Sequence, residues 1–425
     1  MAPSQIKPYK IAVPDAALER LRAKLALTTL PRETAFSNDG NYGAPLDDVA
    51  RLVRVWRDGY DWRRAEADLN DRLPQFTTTV AVDGHEDALG VHFVYRKSER
   101  PGAIPLLFVH GWPGSFLEVS KILPLLTAGG ENEPSFDVVA PSLPNYGFSQ
   151  GTSKPGFGLE QYAEVCHKVM LQLGYEKYVT QGGDWGFFIT RMMGVLYPSH
   201  IQASHTNLII TQPPSLLSSP LLFLQAALGR FTAEERAGLA RTAWFRREGH
   251  GYSTIQTTKP HTPGFALADS PVALLAWVYE KLRDWSDAYP WTDEEVLTWI
   301  SIYLFSDAGA DASLRIYYET VHAPTTLSGG GKGEDDAAVR GAVLRWNGNV
   351  PLGLSSFPKD VIALPLSWGR SLGPVVFEAQ HKEGGHFPAY EKPELLVGDL
   401  RKMFGKKTGI GAKLPTDWKV SRSLL

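Results

Sequence analysis

One segment carries more chemistry per residue than any other. In QGGDWGFFIT, residues 181–190, an apolar run enters two glycines, then Asp184, then Trp185 and Gly186, then a second apolar run. This layout predicts a strand, a tight turn and a helix, with one reactive side chain lifted out at the turn. Gly182 and Gly186 supply the small residues that so strained a turn requires. A carboxylate in that position can form an ester with a carbon electrophile. The helix that starts there favours its charged form. Aspartate is also a preferred helix cap, and the segment alone divides evenly between nucleophile and cap.

Further groups fall into an order that chemistry can use. HGWPGS, residues 110–115, follows the apolar run PLLFVH. A loop in that place offers a backbone N–H to an oxyanion, with Trp112 as one donor and Trp185, after the candidate nucleophile, as the other. The bland alternative is a plain Pro-Gly turn. Near the C-terminus, GGHFPAYE places His386 after two glycines, exposed enough to move protons. Asp360, in FPKDVIALP, lies between Asp184 and His386, which gives the chain order nucleophile, acid, histidine. Glu378 and Glu383 are rivals for the acid in the same region.

Two other nucleophiles need weighing. GFSQG, residues 147–151, matches G-x-S-x-G with Ser149 at its centre. It follows the loop APSLPNY, however, and no strand runs directly into Ser149, so the required strand–turn–helix setting is missing. The single cysteine, Cys166, lies in QYAEVCHKVMLQLGY, which reads as an amphipathic helix and makes it a structural thiol.

The elements that must position these groups alternate in type. ALERLRAKLAL and DDVARLVRVWRDGYDWRRAEADLN show helical spacing, and TTTVAV and VHFVYRK read as strands around Asp83-Gly84. PLLFVH, FDVVAPSL and KYVTQGG are buried strands, each followed by a helical pattern, which predicts a mostly parallel sheet with helices on both faces. TQPPSLLSSP reads as a linker, and the residues after it are mainly helical, with breaks at TTKPHTPG and SGGGKGEDD. FPKDVIALP and GPVVFEAQHKEGGH then resume the strand pattern. Residues 1–95 are expected as an N-terminal extension, 96–212 and 346–425 as two parts of one α/β core, and 213–345 as a helical lid over its crevice.

Composition excludes several classes. The chain has 425 residues, 43% of them hydrophobic, and a formal net charge of -3, which argues for neither nucleic acid nor an anionic membrane as partner. One cysteine leaves no intramolecular disulfide and no multi-cysteine metal site, and fits a cytoplasmic protein. The N-terminal stretch has no basic start followed by a long apolar run, so no signal peptide or membrane anchor is expected there.

Taken together, HGWPGS, GGDWG and KPYKIAVPDAALERLRAKL resemble the epoxide hydrolases of the microsomal and juvenile-hormone branch, and particularly their soluble fungal members. The resemblance spans nearly the whole chain. It implies an α/β-hydrolase fold whose N-terminal extension braces the lid, and conversion of an epoxide and water to a vicinal diol. It also implies Asp184 as nucleophile, Asp360 and His386 as the acid and base, and two lid tyrosines that hydrogen-bond the epoxide oxygen. GYSTIQTTKP places the first at Tyr252; SLRIYYET places the second at Tyr317, with Tyr318 adjacent. No cofactor or metal is implied. Some relatives pair through the lid, which leaves a homodimer open. SLPNYGFS carries Asn145 where many relatives have glycine, a change expected to affect only the loop. A haloalkane dehalogenase would use the same aspartate turn, and a binding-only relative would keep the pocket.

Overall fold

The computed structural model describes residues 6–85, 87–130, 133–217, 219–325, 327, 341–415 and 418. Residues 328–336, expected as a surface loop, lie outside the described residues. Nine strands form one sheet: β1 (Lys7–Tyr9), β2 (Gln75–Val80), β3 (Leu89–Arg96), β4 (Ile104–Val109), β5 (Phe136–Pro141), β6 (Tyr178–Gly182), β7 (Ile201–Thr206), β8 (Leu352–Ser356) and β9 (Val375–Gln380). Their order is β1-β2-β3-β5-β4-β6-β7-β8-β9. The pairs from β1 to β5 are antiparallel, and every pair from β5 to β9 is parallel. The parallel part needs cover on both faces, and its strands read accordingly as apolar runs. β4 and β5 are buried at every position.

Helices α1 (Asp15–Ala26), α2 (Leu46–Asp58) and α3 (Trp62–Arg72) precede the sheet's second strand. α2 forms because Val49, Leu52, Val53 and Trp56 recur at three-to-four spacing and all turn inward, while Asp47 and Asp48 occupy its first turn. α4 (Val119–Ala128), α5 (Leu159–Gln172) and α6 (Trp185–Leu196) flank the parallel strands. The described residues between β7 and β8 include helices α7 (Pro220–Ala227), α8 (Ala233–Trp244), α9 (Gly251–Thr258), α10 (His261–Asp269), α11 (Pro271–Trp285), α12 (Asp293–Leu304) and α13 (Arg315–His322).

The N-terminal helices pack against this inserted group: α1 and α2 against α11, α2 and α3 against α12. Ion pairs Lys24–Asp269, Arg51–Asp293 and Arg64–Glu294, and a 3.0 Å hydrogen bond between the Tyr60 and Thr298 hydroxyls, line the same seam. The bracing that the resemblance implied is therefore present.

Some local expectations differ. FPKDVIALP was expected to be a strand, but β8 ends at Ser356 and the segment forms a turn beyond it, which carries Asp360 past the end of the sheet. β7 was not anticipated; its sequence IQASHT alternates neither cleanly nor in an apolar run. Its polar side chains are satisfied inside the protein, with Thr180 Oγ1 donating to Ser204 Oγ at 2.9 Å. At TTKPHTPG the break is short, because α9 ends at Thr258 and α10 starts at His261. Among the described residues no helix is long and apolar enough to cross a membrane.

Candidate active site

β6 ends at Gly182 and α6 begins at Trp185, so Asp184 sits on the turn between them. Its backbone is held at φ 50° and ψ −126°, a conformation that L residues rarely adopt. The turn is possible only because of its glycines. A Cβ on Gly182 would strike the backbone of Gly186, and one on Gly186 would strike the Val109 carbonyl of β4. Asp184 makes no side-chain cap on α6. Its Oδ1 accepts instead from the backbone N–H of Trp112, at 2.8 Å across the turn.

The loop that presents Trp112 is fastened on its outer side. The Pro113 carbonyl accepts from Trp299 Nε1 and the Gly114 carbonyl from the Tyr303 hydroxyl, each at 2.5 Å and both from α12. His110 braces the loop from within. Its Nε2 accepts from the Leu143 N–H at 3.1 Å, which leaves Nδ1–H to donate to the Gly111 carbonyl at 2.9 Å. Burial pushes the His110 imidazole down to about 4, so it stays neutral and keeps that tautomer. Gly111 must lack a Cβ, which would occupy the space of the Asp184 carboxylate. Trp185, the first residue of α6, carries one of the amides that have no partner within the helix.

His386 comes from the loop after β9. Gly384 adopts φ 101°, and Gly385 lies so close to the Trp285 carbonyl that a Cβ would collide with it. The His386 N–H donates to that same carbonyl at 2.8 Å, and the Trp285 ring meets the imidazole edge-on at 4.9 Å. Trp285 is the last residue of α11, so the inserted helices hold the histidine loop in place. His386 Nδ1 is 2.7 Å from Asp360 Oδ1, and Nε2 is 3.4 Å from Asp184 Oδ2.

Burial disfavours charge on this imidazole. Asp360 and Asp184 together outweigh burial, however, and lift His386 to about 10. Asp360 is itself fully buried and raised by that burial, with His386 acting against the rise. The rivals for the acid are spoken for elsewhere. Glu378 pairs with Arg370 at 2.6 Å, and Glu383 pairs with Lys392.

Both tyrosines face this centre. The Tyr252 ring stacks on Trp112 at 5.0 Å, and Tyr317 meets Trp185 edge-on at 4.8 Å. The two tyrosine rings are 5.9 Å apart and nearly perpendicular. Burial first, with the Asp184 charge contributing, pushes both phenols above their usual value, so they stay protonated. Tyr318 turns away and stacks on His322 at 4.0 Å.

The two decoys have structural roles. Ser149 Oγ accepts from the His92 N–H at 2.9 Å and donates to the Ser142 carbonyl at 2.7 Å. The Cys166 thiol is buried, and burial pushes it up to about 12. Asn145 stands at φ 71°, where glycine is otherwise preferred, and its side chain donates to the Tyr162 hydroxyl of α5 and accepts from the Thr152 N–H of the loop. Among the described residues no cluster of His, Cys, Asp and Glu could hold a metal ion. Sequence reasoning missed Trp285, Glu118 and Asn207, which also border the centre. For Glu118 a signal existed: the lone acidic residue in the mostly apolar stretch SFLEVSKILPLL.

Comparison with known proteins gives the family. The family model described as "Epoxide hydrolase N terminus" matches residues 6–119, and that described as "alpha/beta hydrolase fold" matches residues 104–243. The chain is 33% identical to epoxide hydrolase 1 of Sus scrofa, over 94% of this chain and 88% of that one. It is 32% identical to juvenile hormone epoxide hydrolase 1 of Ctenocephalides felis, over 93% and 84%. The solved structure of Aspergillus niger epoxide hydrolase superposes with a TM-score of 0.77 at 34% identity, over 94% and 95% of the two chains. On these likenesses, and with Asp184 on its strand–helix turn beside a histidine–aspartate pair and two facing phenols, the chain belongs to the epoxide hydrolase family.

Proposed function

We propose that Asp184, His386 and Asp360, with Tyr252 and Tyr317, open an epoxide in two steps through an ester on Asp184. The observation that carries this assignment is the shared placement of the Asp184 carboxylate. One oxygen sits on the Trp112 N–H and the other faces His386. In the first step Asp184 Oδ2 attacks an epoxide carbon, and that carbon's bond to the ring oxygen breaks. The departing alkoxide takes a proton from Tyr252 or Tyr317, which burial keeps protonated. In the second step water adds to Asp184 Cγ while its proton passes to His386 Nε2. The resulting oxyanion stays at Oδ1, held by the N–H groups of Trp112 and Trp185, each worth on the order of 3 kcal/mol. Collapse breaks the Cγ–Oδ2 bond, His386 returns the proton to the leaving oxygen, and a vicinal diol departs. The proton left on the new carboxyl passes to His386 and restores the resting state.

The charge balance explains how one imidazole can be charged at rest and basic later. Two carboxylates hold the proton on His386 in the resting enzyme. Once Asp184 is an ester it carries no charge and one of the two supports is gone, so the imidazole passes its resting proton to the phenolate left by the first step and is neutral when water must be activated.

The reacting groups are walled by Trp112, Trp185, Trp285 and Phe245, which favours a small, apolar, aryl-bearing epoxide. Residues 213–345 act as the lid that carries both phenols. The single buried cysteine supports a cytoplasmic enzyme.

Trapping the ester tests the assignment. His386→Gln, given styrene oxide and quenched, should accumulate one adduct that maps by peptide mass spectrometry to Asp184. An adduct on Ser149, or none, would contradict it.

A further inference from the structure

Beside the nucleophile lies a small cavity of about 10 Å³. That is room for a single water molecule. Gly111, Glu118, Gly183, Asp184, Asn207 and His386 line it. Two polar residues among these, Glu118 and Asn207, have no part in the mechanism above, and both are buried. The Glu118 carboxyl lies against the backbone of Gly114, within reach of the N–H groups of Gly111 and Ser115. Asn207 is oriented by its neighbour: Gln181 Nε2 donates to Asn207 Oδ1 at 2.7 Å. With Oδ1 so engaged, the Asn207 amide nitrogen is left as the donor, and a Cβ on Gly183 would collide with it.

We propose that this cavity seats the hydrolytic water, and that Glu118, helped by Asn207, is the positioning residue that aims it at Asp184 Cγ. The inference rests on the assignment of Asp184 as the ester-forming nucleophile. A water there has a partner for each of its directions. One O–H points to His386 Nε2, the other to a Glu118 carboxyl oxygen, and one lone pair accepts from Asn207 Nδ2. The remaining lone pair is left for the ester carbon. Water needs two to four such partners to be held in a buried site, and this cavity offers three.

Burial, with the Asp184 charge adding and His386 opposing, pushes the Glu118 carboxyl up to about 8. At neutral pH it is mostly protonated and brings no second base beside His386. Its carbonyl oxygen still accepts a hydrogen bond, and a glutamine would do the same. A leucine of similar volume would not.

The test separates the two half-reactions in a single turnover of styrene oxide, with ester formation and breakdown followed by rapid quench and intact-protein mass. In Glu118→Leu, ester formation should stay within about threefold of the parent. Breakdown should slow by about 10- to 100-fold, so that the ester accumulates and kcat and KM fall together. Glu118→Gln should recover most of the breakdown rate. If Glu118→Leu does not fold, Asn207→Ala reports on the same step through the second group. Equal slowing of both steps would make Glu118 a brace for the loop and overturn the inference, as would breakdown at the parent rate. A parent enzyme that forms no ester on Asp184 would remove the underlying assignment and this inference with it.

Discussion

The two halves of the active site are held by different physics. On the strand-end half, Gly182 and Gly186 press against backbone and Gly111 against the Asp184 side chain, and no room exists for even one methyl group. On the lid half, Tyr252, Tyr317 and Trp285 are held by aromatic faces and edges with centroids 4.8–5.9 Å apart. Contacts this close hold the turn of Asp184 in place and cannot be repacked. Ring contacts tolerate exchange with adjustment, because volume-conserving swaps cost little. On the mechanism proposed above, the strand-end half sets whether the ester forms at all, and the lid half sets how fast and from which epoxide.

Substitutions can break or sharpen that contrast. The largest effect belongs to Asp184→Ala, which should lower kcat/KM for styrene oxide by about 10⁴-fold or more while the far-UV circular dichroism stays unchanged. Activity within tenfold of the parent would end the contrast, since nothing would then depend on the turn. Gly186→Ala should follow, failing to yield folded protein or losing more than about 3 kcal/mol in urea unfolding, because the methyl group meets the Val109 carbonyl. On the lid side, Tyr252→Phe and Tyr317→Phe should each fold normally. Each should slow ester formation by about 10²-fold and leave ester breakdown untouched. An effect on breakdown instead would place the phenols in the wrong step.

A subtler distinction concerns pH. His386 is raised to about 10 by Asp360 and Asp184, and esterification removes one of these negative neighbours. Its pKa in the ester state must therefore fall. Hydrolysis needs the neutral imidazole, so the rate of ester breakdown should rise with pH through a midpoint well below 10. A midpoint at 10 or above in pre-steady-state profiles would show that Asp184 does not support the charge. The smallest effect is expected at Ser149→Ala, where two buried hydrogen bonds are lost. Stability should drop by about 1–3 kcal/mol with kcat unchanged.

Much of the strand-end half was legible in the sequence because it is local. The turn at Asp184 occupies a few consecutive residues, and the requirement for small neighbours is written at Gly182 and Gly186. Asp360 and His386 were legible only as an order along the chain. Nothing local separated Asp360 from Glu378 or Glu383. The fold did so, by extending FPKD beyond the end of β8 toward His386 while pairing the rivals with Arg370 and Lys392. The lid half was not legible from spacing. Tyr252 and Tyr317 lie on α9 and α13, and only packing brings them together. Without the resemblance they would be two of sixteen tyrosines. Trp285 was invisible for a different reason, because its carbonyl rather than its side chain holds the His386 N–H, and a carbonyl leaves no mark in a sequence. β7 hid behind polar residues that are satisfied by partners distant in the chain, such as His205 with Ser355 at 2.9 Å.

The central claim is that the diol takes its new oxygen from Asp184, which water then replaces. A single turnover of styrene oxide by excess enzyme in water enriched with heavy oxygen tests this most directly. The account predicts an unlabelled diol and one heavy oxygen in the peptide that contains Asp184. Heavy oxygen in the diol of that first turnover, with none in the protein, would contradict it.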